Sequence, residues 1–160
     1  MHLMLVNDDG IHAPGIRALC DAATAAGHRV SISAPDRERS AASHAISLAD
    51  SLKAERIDYP GAGTAFVVNG TPADCARLGL FLIPDVDVVI SGVNNGSNMG
   101  GACIYSGTVA AATEASMSGT PGLAVYLPIM IAVSILTGSF TGLCAQLLVK
   151  RGTLWKIISK

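Results

Sequence analysis

The first 35 residues constrain the fold more than any later stretch. Residues 3–6 are a continuous apolar run, LMLV, that stops at Asn7-Asp8-Asp9-Gly10, the pattern of a buried strand ending in a loop. Pro14 suits a first helical position. Ile16, Leu19, Cys20 and Ala23 then recur at i, i+3, i+4 and i+7, and Gly27 suits the residue just past a helix end. Val30, Ile32 and Ala34 alternate as a second strand, closed by Pro35. Strand, helix and strand at this length make a βαβ unit, the seed of a parallel sheet.

The pattern continues downstream. Residues 35–43, PDRERSAAS, form a polar loop, and 45–57 read as one or two short strands. Gly61-Ala62-Gly63 is a turn and 65–68 a strand. Thr71, Pro72 and Asp74 fit an N-cap, N1 and N3, which predicts a helix to about Leu82. Residues 86–90, VDVVI, suit the middle of a parallel sheet. A loop rich in Gly, Asn and Ser follows at 91–101, then a helix from near Ser106 to Gly119 and a strand over 122–127. The expected class is α/β with a mostly parallel sheet.

Composition removes several function classes. Half of the 160 residues are hydrophobic and 14% are charged, which excludes a disordered chain. A formal net charge of -1 and 4% aromatic residues argue against a binder of nucleic-acid polymers. Cys20, Cys75, Cys103 and Cys144 include no C-x-x-C pair, so neither a zinc framework nor a dense disulfide scaffold is expected. Free thiols and an N-terminus without signal-peptide character point to the cytoplasm. From Ala115 to Val149 there is no charged residue. A transmembrane helix needs about 20 mostly apolar residues, and 123–149 is long enough. Pro128, Gly138 and Gly142 interrupt it, and a core strand followed by a buried helix explains it equally well. Membrane contact through 123–149 is the lesser reading. The apolar excess calls for a partner, a missing segment or a membrane to cover it.

Ligands of open α/β sheets bind beyond the carboxyl ends of the strands. Three polar loops fall at such ends, 7–10, 35–43 and 91–101. Adjacent Asp8 and Asp9 repel each other and raise their own pKa values unless a cation relieves them. A hard divalent ion with oxygen ligands does so; a solvated loop with one Asp capping a turn is the alternative. Asn94, Asn95 and Asn98 lie among glycines that let a backbone approach an anion, or simply make a turn-rich loop. Ser106-Gly107-Thr108 opens an Ala-rich helix, where backbone N–H groups and hydroxyls hold a phosphate or cap the helix; the two roles are compatible. Ser40, within Asp36-Arg37-Glu38-Arg39-Ser40, is a candidate hydroxyl ligand, although four successive charges also suit a solvated face. His12 lies close to the aspartates and is a lesser catalytic candidate.

Taken together, NDDGIHAPG at 7–15, APDRERS at 34–40, NGTPADC at 69–75, SGVNNGSNMG at 91–100 and YSGTVAAATE at 105–114 resemble the SurE (survival protein E) family. The resemblance covers about 1–127 and rests on five motifs in order. It implies a Rossmann-like three-layer sandwich and a metal-dependent nucleotidase acting on nucleoside 5′- and 3′-monophosphates. It implies that Asp8, Asp9, Ser40 and Asn94 ligate one divalent cation, magnesium or manganese, with Asp8 and Asp9 also catalytic. Asn98, Ser106, Gly107 and Thr108 inherit phosphate binding. The substrate partner is then a nucleoside monophosphate, and the family assembles as homo-oligomers. Family members are longer, and their C-terminal half completes the substrate pocket and exchanges arms between subunits. Here 128–160 takes its place, so the chain divides into a nucleotidase core at 1–127 and a truncated or divergent apolar segment at 128–160. A non-catalytic remnant that binds metal or nucleotide without turnover is the alternative function.

Overall fold

The computed structural model describes residues 1–96, 98 and 100–126, together with the backbone of 130–134 and 145–147. In chain order the elements are β1 (His2–Val6), α1 (Pro14–Ala25), β2 (Arg29–Pro35), β3 (Ala54–Ile57), β4 (Thr64–Val68) and α2 (Pro72–Leu82). They continue with β5 (Val88–Asn94), α3 (Ala102–Tyr105), α4 (Gly107–Met117), β6 (Gly122–Tyr126), β7 (Met130–Ser134) and β8 (Ala145–Leu147). The strands form one sheet in the order β3-β4-β2-β1-β5-β6-β7-β8. The central run β4-β2-β1-β5-β6 is parallel, and β3, β7 and β8 add antiparallel edges.

Alternation along β1 builds the layers. Leu3 and Leu5 face one side and join Ile32 of β2 and Ile16, Cys20 and Ala23 of α1. Met4 and Val6 face the other side, with Val68, Val89, Cys75 and Ala76 of α2, and Ala111 and Ala115 of α4. Every residue of β1 is buried, because helices cover both faces of the sheet. Each buried Leu, Ile or Val contributes about 1.5–3 kcal/mol relative to exposure. The result is the expected α/β three-layer sandwich.

Helix starts follow their local chemistry. Thr71 and Asp74 form a capping box on α2, with Pro72 in the first turn. The Ser106 hydroxyl accepts the Val109 N–H and caps α4. These caps fix where both helices begin, at the carboxyl edge of the parallel strands.

The structure departs from the expected elements in four places. The fifth strand begins at Val88 rather than 86 and runs on through Asn94, into the stretch expected as loop. Pairing with β6 holds those polar residues extended, with Asn94 opposite Tyr126, and the register shifts between Ser91 and Asn94. Of 45–57 only the last four residues form a strand. The short α3 is an addition to the expected elements, and its four residues are too few to show a helical period. In the segment weighed as a membrane span or as strand and helix, the described residues 123–126, 130–134 and 145–147 are strands of this sheet. Among the described residues no helix is long and apolar enough to cross a membrane. The rest of 128–160 lies outside the described residues.

Candidate active site

The chain lays β1, β2 and β4 outward to one side, then returns to place β5 and β6 on the other. The strand order therefore reverses between β1 and β5, and the crevice beyond their carboxyl ends is where such a sheet takes ligands. Asp8 and Asp9 sit at that point. The Asn7 side-chain N–H donates to Gly10 O at 2.8 Å and closes the turn that carries them. Gly10 has φ +97°, and a Cβ there would lie 3.1 Å from the Arg37 backbone, so glycine lets the first two loops touch.

Backbone hydrogen bonds gather the loops. Ile11 N donates to Pro35 O, and Arg39 N donates to Asp8 O at 2.7 Å. Ser43 N and its hydroxyl donate to Tyr105 O and Ile104 O, tying the second loop to α3. The start of α4 comes against Asp8 directly. The Thr108 hydroxyl donates to Asp8 Oδ1 at 2.7 Å, and both groups are buried. A Cβ on Gly107 would lie 2.9 Å from Asp8 Cβ and from Pro72 Cγ, so the close approach of α4 and α2 to β1 requires glycine here.

The remaining candidates divide by how they are engaged. Asn94 is half-buried at the end of β5, and its side-chain N–H donates to Gly96 O, which leaves Oδ1 as the atom for another ligand. Asn98 is buried, its backbone carbonyl accepts from the Cys103 thiol, and its side-chain Nδ2 has no hydrogen-bond acceptor among the described residues. Ser106 is buried and caps α4. Thr108 spends its hydroxyl proton on Asp8. Ser40 follows Arg39 across the site but is exposed, and its hydroxyl donates to Glu38 Oε1 at 2.6 Å.

Burial raises the Asp8 carboxyl above its ordinary range, against the Thr108 hydrogen bond that lowers it, and Glu38 adds a small repulsion. Burial also raises Asp9, followed by the negative charges of Asp8 and Glu38. Carboxylates held in this way are relieved by a cation. Among the described residues no group of three or more His, Cys, Asp or Glu forms a metal cluster. Asp8 and Asp9 supply two carboxylates here and Asn94 an amide oxygen at the end of the neighbouring strand β5, hard donors that suit magnesium, calcium or manganese rather than zinc.

A cavity of about 570 Å³ opens beside Asp9, lined among others by His12, Pro14, Arg37, Val93 and Asn95. His12 therefore stands at its wall, exposed. Two participants escape sequence reasoning. Asn7 reads only as the end of a strand, though an amide three residues before a turn glycine is the signal for the bond it makes. Glu38 is absorbed into a charged run, and nothing in the sequence shows that it faces the aspartates.

A family model described as Survival protein SurE matches residues 3–145. The 5′-nucleotidase SurE of Synechococcus sp. (strain WH7803) is 46% identical over 129 residues, covering 78% of this chain and 48% of that protein. That of Desulfatibacillum aliphaticivorans is 50% identical over 127 residues, covering 78% and 50%. The crystal structure of the SurE protein from Aquifex aeolicus aligns with a TM-score of 0.69 and 40% identity, over 79% of this chain and 50% of that one. The chain spans about half the length of the curated relatives it matches.

Proposed function

The chain belongs to the survival protein SurE family, and from that premise we propose that it is a nucleotidase, a hydrolase that releases phosphate from nucleoside 5′- and 3′-monophosphates. The observation that carries the reading is the pair Asp8 and Asp9 at the switch point, both raised by burial, beside the N-terminus of α4. Relatives that bear the name 5′-nucleotidase support the reaction class.

Asp8, Asp9, Asn94 Oδ1 and, after release from Glu38, Ser40 would hold one magnesium or manganese ion. When bound, such an ion supplies Lewis-acid charge to a phosphate oxygen and acidifies a water. The remaining work belongs to the protein. Thr108 fixes the Asp8 carboxylate through Oδ1, so Asp8 serves as a preset ligand. Asp9 is less buried than Asp8 and lines the adjoining cavity, where its carboxylate is open to accept a proton from the attacking water. The Asn98 Nδ2, the Ser106 hydroxyl and the first N–H groups of α4 are donors for phosphate oxygens as charge builds on them.

The test is turnover of AMP and of p-nitrophenyl phosphate by the 160-residue chain, with and without manganese. Manganese-dependent release of phosphate from both supports the reading. No release from either, by a folded chain, leaves the non-catalytic remnant.

A further inference from the structure

The cavity beside Asp9 is not explained by metal or phosphate binding. Its lining combines apolar groups, from Ala13, Pro14 and Val93, with polar ones, from Asp36, Arg37 and Asn95. Its volume, about 570 Å³, falls within the range of small-molecule sites, and this mix of apolar and polar groups is their usual lining. Asp36 is the first residue after β2, the strand beside β1. In dinucleotide-binding Rossmann sheets an acid about 20 residues beyond the glycine-rich first turn hydrogen-bonds the ribose 2′-hydroxyl, and Asp36 stands in a comparable place.

We infer that this cavity seats the nucleoside half of the substrate, that Asp36 accepts from the ribose 2′-hydroxyl, and that the chain thereby prefers ribonucleosides to 2′-deoxyribonucleosides. The inference deepens the nucleotidase reading and takes its ligand class from it. Asp36 has capacity for the bond. Its Oδ1 accepts from Arg39 at 3.1 Å, whereas Oδ2 has the Arg37 guanidinium only at 3.9 Å, too long for a hydrogen bond. Arg37 is 70% exposed, and its planar guanidinium matches the face of a base. A neighbouring cavity of about 580 Å³ shares the Asp36–Arg37 wall, but Arg39, Lys53, Asn69 and Thr71 make it polar, which suits a planar base less well.

Calorimetric binding of adenosine and 2′-deoxyadenosine to the 160-residue chain tests this without needing turnover. Adenosine is expected to bind about tenfold tighter, the worth of one hydrogen bond to a charged group. Asp36→Asn brings the two within about twofold. Arg37→Ala, an exposed change that leaves the core untouched, weakens both equally and keeps the ratio. An unchanged ratio in Asp36→Asn, or no binding of either nucleoside to the wild type, overturns the inference. Turnover of AMP without discrimination at Asp36 rejects the inference and leaves hydrolysis standing. Discrimination at Asp36 without turnover does the reverse.

Discussion

The Thr108 hydroxyl donates a 2.7 Å hydrogen bond to Asp8 Oδ1 across a hundred residues of sequence. It joins the first turn of α4 to the end of β1, and it is buried. Thr108→Val keeps the shape and removes the donor. The change is expected to cost about 1–2 kcal/mol in urea unfolding. It is also expected to weaken manganese binding by about tenfold or more, since ligand orientation is lost. Unchanged calorimetric affinity would show that Asp8 needs no support from α4.

Metal-free protein is expected to gain stability from Asp8→Asn. Burial, then the effects of its neighbours, leave the Asp8 carboxyl raised from 3.8, so the folded state disfavours its charged form. Such a group favours folding below 3.8, and that contribution is lost as pH rises through the folded value. At pH 7 the wild type carries this penalty and the amide does not. Melting in chelator should show a higher Tm for the variant, together with lost phosphatase turnover. A lower Tm would mean that the carboxylate is satisfied without a cation.

Asp74 has the opposite sign. Burial alone would raise it, but hydrogen bonds from Thr71 and Ser47 outweigh that and hold it below the usual carboxylate value. Its contribution is present above pH 3.8 and is lost as pH falls through its lower folded value. Asp74→Asn should cost about 1–2 kcal/mol at pH 7, from the capping box and the Ser47 contacts. The difference from wild type should shrink in acid, read by chemical unfolding at pH 7 and below pH 4.

Gly107→Ala forces a methyl to within 2.9 Å of Asp8 Cβ and Pro72 Cγ. A loss of about 1–3 kcal/mol is expected from overpacking, with weaker metal binding because Asp8 must move. Gly27→Ala is the control for backbone strain without a clash, since Gly27 has φ +80° and open space around it. It should lose stability but keep metal affinity.

Much of the fold is legible because β1, α1 and β2 obey their periods without conflict. A strand such as β1 needs no alternation of apolar and polar residues: it is apolar from Leu3 to Val6, and burial on both faces is what that run encodes. The capping box at Thr71 is readable because Thr, Pro and Asp each act within one turn. The strand β5 is cut short in the sequence reading because Ser91-Gly92 carries no strand propensity; its extension depends on β6, which lies about thirty residues further on. At the site, residue type and position mark Asp8, Asp9 and Asn94. They do not show that the Thr108 hydroxyl turns to Asp8, or that Ser40 turns to Glu38, since both are matters of side-chain direction in the folded chain.

Manganese titration of the wild type, Asp9→Asn and Asn94→Ala by calorimetry tests whether Asp9 and Asn94 hold one shared cation. One site per wild-type chain is expected, with binding lost in Asp9→Asn and clearly weakened in Asn94→Ala. Equal affinity in all three chains would contradict it, because the ion would then be held by atoms other than those gathered between β1 and β5.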